Sequence, residues 1–479
     1  MGTILSGALV GDLGQAITAA GRAKYRGLAE GLERAILGGG LPAGTRLPPV
    51  RDLSWRLGVT PGTVARAYST LTDSGLLTAG VGRGTFVAER SVPPAPPVAN
   101  PATLAPSAWL PQGDGEVSLR TPMLPDLGQS QLIREHLAGL AAEMPTDRLM
   151  NYPGRDSDLP ARQAFRRWMG AAPIGPLTDD DLVTAHGGQS GIVMALQCVL
   201  RGPGPVVLVD ELTYSGYRRA AELARATCIP VPWDREGPDP QALETLGRLH
   251  GAQAFCTSAE VCNPTTRATT PERRQQIAEV AQRLHMHVID DDCYRIGPHR
   301  APAYRALLPE LGWYVTSPSK VLTPALRIGF VAAPEGWGLP LARIAAHNSF
   351  GVSSPLTDLF VRMVDDPRMP ALAEAVRQRI NDDLRIAVNH LGGHALTWQE
   401  DVPFLWLDLP QTWRAESFAR AAAAQKVGLK TSDEFAARDA RPVHAVRIAL
   451  NGQVSTEIFE HAVSRLGLLL GRPPENLAV

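Results

Sequence analysis

The chain has 479 residues, 44% hydrophobic and 20% charged, with 47 Lys/Arg against 48 Asp/Glu for a net charge of −1. That exceeds one domain of roughly 100–200 residues, so two or three domains with a large core are expected in a soluble globular protein. No apolar run reaches the roughly 18 residues of a membrane span and the first ten residues lack the positive stretch of a signal peptide, so a cytoplasmic address is expected. The five cysteines (Cys198, Cys228, Cys256, Cys262, Cys293) form no CxxC pair. This argues against a disulfide framework and a zinc site, and for buried thiols. Charge is uneven along the chain: residues 1–90 hold ten Lys/Arg and six Asp/Glu, or +4, leaving −5 for the rest. A polyanion partner for the N-terminal part is consistent with that asymmetry.

In chain order, Tyr25 to Leu37 is patterned as one amphipathic helix, ended by Gly38-Gly-Gly-Leu-Pro-Ala-Gly44. A second helix is predicted over Arg46 to Leu57, a tight turn at Gly58-Val-Thr60, and a third helix over Pro61 to Ser74. In the third, Val64, Ala67, Tyr68 and Leu71 recur at helical spacing and are expected to face inward. Thr60, Gly62, Thr63 and Arg66 are left outward near its N-terminus, where a recognition helix meets phosphates and base edges. Leu76 to Val87 reads as a hairpin whose glycine-rich tip carries Arg83, a wing suited to a minor groove. The segments "LPPVRDL", "LGVTPGTVARAY", "GLL" and "GRGTFV" resemble the winged-helix domain of GntR-family transcription regulators. That resemblance implies DNA contacts at Arg51, Thr60, Thr63, Arg66 and Arg83, with Pro61 standing where the family often has a polar or basic residue. A helical protein-interaction module with solvated arginines is the plainer alternative.

Val92 to Pro111 is dense in proline and free of charge, a composition that forms neither helix nor inner strand and behaves as a semi-rigid spacer. Beyond it, Pro205–Val209, Ala254–Thr257, His287–Asp290 and Arg327–Ala332 read as buried strands, with helices predicted over Gln189–Leu200 and Pro271–Leu284. The latter opens Thr270-Pro271-Glu272, an N-cap followed by proline at the first helical position. The alternation is that of an α/β domain with a mostly parallel sheet. The expected organisation is a winged helix–turn–helix domain over 18–90, a linker over 91–111 and a second domain over 112–479. The second domain would divide into a large subdomain (about 150–345) and a smaller α+β subdomain (about 346–479).

Only four of the basic residues are lysines: Lys24, Lys320, Lys426 and Lys430. A desolvated lysine amine loses its proton and condenses with an aldehyde, which a guanidinium does not do. Lys320 is therefore a candidate Schiff-base lysine, the alternative being a surface lysine on a loop. A lysine-bound pyridoxal phosphate also needs a phosphate cradle, a ring stacker, a donor to the phenolate oxygen and an acid at the ring nitrogen. Each has a candidate, in order along the chain. Gly187-Gly188-Gln189-Ser190 opens a helix whose amides suit a phosphate. Tyr214 could lie on the ring, and Asn263 could donate to the phenolate oxygen. Asp291 is the candidate for the ring nitrogen, with Tyr294 three residues on. Ser317, Ser319 and Arg327 flank Lys320 and add phosphate donors and charge.

The order resembles that of the fold-type I aminotransferases over about 365 residues from Trp109 onward. "SPSKVLTPALRIGF" looks like that family's lysine motif, "VCNPTT" its asparagine-proline motif and "IDDDCY" its Asp-x-x-Tyr. "NYPGRDSDLPARQAF" is similar to the segment whose tyrosine reaches the phosphate of a neighbouring subunit, which would make Tyr152 a cross-dimer ligand. "VRIAL" looks like the motif whose arginine binds a substrate carboxylate, here Arg447. Thr266 stands where glycine usually follows the Asn-Pro-Thr, and Gly188 where serine or alanine often sits. The two halves together resemble the MocR/GabR-type subgroup of GntR regulators. That resemblance implies a pyridoxal 5′-phosphate-dependent regulator of promoter DNA working as a head-to-tail homodimer. In it, an amine or amino acid would displace Lys320 to form an external aldimine, with transamination at most slow or partial. The rivals are a working aminotransferase that carries a winged helix, and an architectural DNA binder that has lost its cofactor.

Overall fold

The computed structural model describes residues 7–20, 23–73, 76–80, 84–88, 115–170, 172–437 and 443–472. The chain divides into two compact units, Met1–Ala105 and Pro106–Val479. Arg83 and the proline-rich stretch 91–111 lie outside the described residues.

The first unit holds helices α1 (Gly7–Ala19), α2 (Lys24–Leu37), α3 (Val50–Leu57) and α4 (Pro61–Asp73), then strands β1 (Leu77–Gly80) and β2 (Gly84–Val87). β1 and β2 pair antiparallel, Leu77 opposite Val87 and Gly80 opposite Gly84. Val64, Ala67, Tyr68 and Leu71 are buried in one core with Leu28, Leu32 and Leu53, the inward face expected from their spacing. Gly58 caps α3 in the left-handed conformation (φ 64°), which glycine adopts without a Cβ penalty. α3 begins at Val50 and not at Arg46. Pro48 and Pro49 lack amide hydrogens and hold the residues before them extended. Arg46 is instead a bridge partner of Phe86, and the Leu47 amide donates to the Thr85 carbonyl at 2.8 Å. α1, which the sequence pattern does not predict, completes the core against α2 with its Leu13 and Ile17.

In the second unit, β3 (Val117–Ser118) precedes seven strands of one sheet. These are β4 (Leu182–Ala185), β5 (Val206–Asp210), β6 (Thr227–Val231), β7 (Ala254–Thr257), β8 (His287–Asp291), β9 (Gly312–Thr316) and β10 (Gly329–Ala332). Their order is β4-β10-β9-β8-β7-β5-β6. All neighbours are parallel except β10, which runs antiparallel to β4 and β9. Alternate residues serve opposite faces, as a pleat of period two requires. Val207, Val209, Ile289, Trp313, Val315 and Val331 join one core cluster, whereas Leu208, Val288, Tyr314 and Phe330 pack into clusters made without them. Thr270 caps the helix Pro271–Leu284 through its side chain, the boundaries and cap read from the sequence.

A smaller sheet follows, from β11 (Leu396–Thr397), β12 (Phe404–Asp408), β14 (Lys430–Thr431) and β15 (Ala445–Ala449) in the order β11-β12-β15-β14. Apart from it, β13 (Val427–Gly428) takes β3 as a parallel partner. The helices Met369–Leu391 and Thr456–Leu470 pack together beneath it on Leu384, Ala387, Phe459 and Leu466.

Candidate functional site

In an open parallel sheet, functional groups collect beyond the carboxyl ends of the strands. Asn263 follows β7, Asp291 ends β8, and Ser317 to Lys320 follow β9 as a short 3-10 turn. The helix Gly188–Val199 starts after β4, with Gly187 as its N-cap at φ 80°.

Three carboxylates in a row, Asp290, Asp291 and Asp292, are divided by the pleat. Asp290 accepts from the Ala259 amide at 3.0 Å, and burial pushes its carboxyl up to about 7. Asp292 is buried as well, yet Arg295, His299 and Tyr314 hold it below its usual value. Only Asp291 faces the helix N-terminus: a Cβ on Gly188 would lie 3.9 Å from its Oδ1. Burial raises Asp291 to about 6, and its Oδ1 accepts from the Cys293 amide at 3.1 Å. The same Cβ on Gly188 would strike Cys293 Sγ, so the absent side chain at 188 is the space the thiol fills. Sequence reading missed Cys293, which carries no motif of its own.

The start of this helix is built by close backbone approach. A Cβ on Gly187 would run into the Arg327 guanidinium, and one on Gly329 would lie 2.6 Å from the Gly187 carbonyl carbon. Arg327 itself sits at φ 47° and donates to the His186 carbonyl at 3.3 Å. Ser317 Oγ donates to the Ile328 carbonyl at 2.7 Å and lies 2.6 Å from Ser319 Oγ. Gln189 is turned away to the Gly216 carbonyl at 3.0 Å, next to Tyr214. Burial raises the Tyr214 phenol, and Tyr294, Asp291 and Cys293 nearby add to the shift.

Lys320 Nζ donates to the Pro122 carbonyl at 3.2 Å and lies 5.4 Å from the centre of the Tyr294 ring. Burial, then the charge of Arg447, lowers its pKa to about 8. Arg447, on β15 and 2% exposed, has its guanidinium 5.2 Å from the centre of the Phe404 ring and 4.8 Å from that of Phe435. Its Nη1 donates to Asn263 Oδ1 and its Nη2 to the Arg120 carbonyl, both at 2.6 Å. That leaves Asn263 Nδ2 and Arg447 Nε buried and, among the described residues, without a hydrogen-bond partner. Buried polar atoms are seldom left unpaired, so both ask for an acceptor from a bound molecule.

Tyr152 stands apart from these groups. It is 81% exposed and its ring stacks on Phe350 at 5.0 Å. In the first unit Arg51, Thr60, Gly62 and Arg66 are exposed. Thr60 and Thr63 share a hydroxyl–hydroxyl bond of 2.9 Å, and the Arg66 guanidinium lies 4.0 Å over the Tyr25 ring.

Residues 126–466 match the family described as aminotransferase class I and II. The chain belongs to this family. Residues 24–87 match the gntR family of bacterial regulatory proteins. Some relatives match along most of the chain. One is an uncharacterized HTH-type transcriptional regulator, YdeF of Bacillus subtilis, 25% identical over 93% of this chain and 94% of the relative. Another is the vitamin B6 salvage pathway transcriptional repressor PtsJ of Salmonella typhimurium, 27% identical over 90% of this chain and 94% of its own. Among solved structures, the α-aminoadipate aminotransferase LysN of Thermus thermophilus shares the fold with a TM-score of 0.67 and 21% identity. That likeness covers 76% of this chain and 94% of LysN.

The cofactor of such a domain is pyridoxal 5′-phosphate, and the residues present fit it. Asn263 Nδ2 is a free buried donor, Asp291 a buried carboxylate, and Lys320 an amine whose proton burial loosens. The Gly187–Gly188 helix start, with Arg327 and the two serines, would hold its phosphate.

Proposed function

We propose that this chain is a DNA-binding transcription regulator that holds pyridoxal phosphate at Lys320 and responds to an amine or amino acid seated between Lys320 and Arg447. The observation that carries the reading is the union, in one chain, of a gntR-type helix–turn–helix over 24–87 with an aminotransferase-type site over 126–466. Bound at Lys320, the cofactor would supply an aldehyde carbon that condenses reversibly with primary amines. The protein's part is to desolvate the Lys320 amine so that it parts with its proton, to keep a carboxylate at Asp291 and to offer a cation to the effector's carboxylate at Arg447. Arg51, Thr60, Thr63, Arg66 and Arg83 are the proposed DNA contacts.

A second copy completes the picture. Exposed Tyr152 and Phe350 form an aromatic step on the surface. In a head-to-tail homodimer this step would let Tyr152 reach the partner's phosphate cradle. The domain limits 18–90, 91–111 and 112–479 belong to the same proposal.

The completeness of the site, Arg447 included, favours a second reading: an aminotransferase with a DNA-binding appendage. Mixing the loaded protein with an amino-acid panel and a keto-acid acceptor separates the two. Single-turnover or slow conversion is expected, and sustained turnover of order 1 per second would mark an enzyme. Lys320→Ala is expected to lose the near-visible absorbance of the bound cofactor; a band that persists would remove Lys320 from its role.

A further inference from the structure

The stretch that enters the second unit crosses the site just described. Val117 and Ser118 pair with Val427 and Gly428, and the Leu119 amide donates to the Gly428 carbonyl at 2.8 Å. The Ala449 amide returns a bond to the Leu119 carbonyl at 2.9 Å. Farther on, the Met123 amide donates to the Leu450 carbonyl at 3.0 Å, and its carbonyl accepts from the Gly452 amide at 2.8 Å. The chain is thus pinned to β13, β15 and the residues just after β15 on both sides of Arg120, Thr121 and Pro122. Among the described residues, the main chain of those three hydrogen-bonds only to Arg447 and Lys320.

The seat taken on Arg447 is specific. Nη2 and Nε share one edge of a guanidinium, the edge that receives the two oxygens of a carboxylate in parallel. Here the Arg120 carbonyl holds Nη2, and Nε is buried with no partner among the described residues. One half of that edge is taken by the chain itself, and the other half, Nε, is left without a hydrogen-bond partner among the described residues, with Tyr294 beside the guanidinium. Two residues on, the Pro122 carbonyl holds the Lys320 amine. The backbone therefore spans the two groups that an amino acid needs at once.

We infer that Arg120–Pro122 is a specificity-determining strap whose two carbonyls occupy the amine and carboxylate seats, so that the site opens to ligands bearing both groups. The inference rests on the proposed roles of Lys320 and Arg447. Lys320 would leave the Pro122 carbonyl on binding the cofactor, while the Arg120 carbonyl would stay on Arg447. Only a carboxylate on the Nε–Nη2 edge removes the second hold. A plain amine leaves it standing, which sets amino acids apart from amines by a contact within the chain as well as by attraction to Arg447.

The test uses the cofactor-free full chain and two probes, pyridoxamine 5′-phosphate and N-(5′-phosphopyridoxyl)-L-alanine. Binding is followed by absorbance, and hydrogen–deuterium exchange is followed in peptides covering 117–124. The alanine adduct is expected to speed exchange at Leu119 and Met123 roughly tenfold over pyridoxamine phosphate, a change of the size of one decade in an equilibrium constant. On Arg447→Gln protein, which has no guanidinium to hold the Arg120 carbonyl, the adduct and pyridoxamine phosphate are expected to give the same fast exchange. Inserting two glycines between Thr121 and Pro122 should slacken the strap and strengthen adduct binding by about tenfold while leaving pyridoxamine phosphate binding unchanged. Adduct that binds with exchange unchanged or slowed, or an insertion that leaves its affinity alone, overturns the strap. Failure of both probes to bind overturns the cofactor reading beneath it.

Discussion

A buried lysine sits beside a buried arginine in this site, and the arginine's charge depresses the lysine's proton affinity. Lys320 is lowered to about 8, first by burial and then by Arg447. Condensation needs the free amine, so cofactor attachment to the empty protein should quicken as pH rises, with a midpoint near 8. Removing the neighbouring positive charge favours the ammonium, hence Arg447→Gln should move that midpoint upward, which stopped-flow absorbance across pH would read. Lys320, Asn263, Asp291 and Arg447 were legible in the sequence because each has a fixed place in an ordered motif. Cys293 was not, because its role is to fill the volume that Gly188 leaves, and complementarity across 105 residues has no local sign. The glycine expected at position 266 is a different case. Thr266 does adopt the left-handed turn, at φ 64°, fully buried and with its hydroxyl unpartnered among the described residues. Strain of roughly 1–2 kcal/mol and an unsatisfied hydroxyl outweigh one buried methyl. Thr266→Gly should therefore stabilise the second unit by about 1 kcal/mol, measured as a higher denaturant midpoint.

At the scale of elements, boundaries followed the residues with strong local chemistry. Pro271 after Thr270 fixed the start of its helix, and Pro61 after Thr60 fixed α4. The start of α3 was misread because Arg46 to Leu57 carries a helical pattern throughout, while two prolines and pairing of Arg46 with Phe86 keep its first four residues extended. α1 went unread because its glycines and small residues give little periodic contrast; it is held by tertiary packing of Leu13 and Ile17. Gly58 separates two helices that must cross tightly for α4 to present its N-terminus. No atom lies within 4 Å of where its Cβ would be, so Gly58→Ala would add backbone strain alone. The expected cost is about 1 kcal/mol of stability in the first unit. Thermal unfolding would show it as a lower first transition, and operator affinity should fall where that transition nears the assay temperature.

For the whole molecule, the uneven distribution of charge outweighs its sum. A net of −1 conceals +4 over residues 1–90, and a duplex is bound by that local excess. The logarithm of the dissociation constant for operator DNA should rise linearly with the logarithm of salt concentration. Arg51→Ala or Arg66→Ala should each lower the slope by about 0.9 if the residue pairs with a phosphate. Fluorescence anisotropy over a salt series gives those slopes directly. The larger architecture was readable because a parallel sheet advertises itself as apolar runs between helices, and the site because its parts must follow those strands. What covers the site was unreadable, since Arg120 to Pro122 belongs to no motif and acts through carbonyls that every residue owns. Those carbonyls lie on the stretch that leads back, through the proline-rich residues, to the helices that read DNA. Coupling between two ligands is symmetric in free energy: the factor by which an amino acid alters operator affinity is the factor by which the operator alters amino-acid affinity. If the stretch carries that coupling, operator DNA is itself an allosteric ligand of the amine seat, and the second unit measured alone would report an effector affinity that the intact regulator on its promoter does not have.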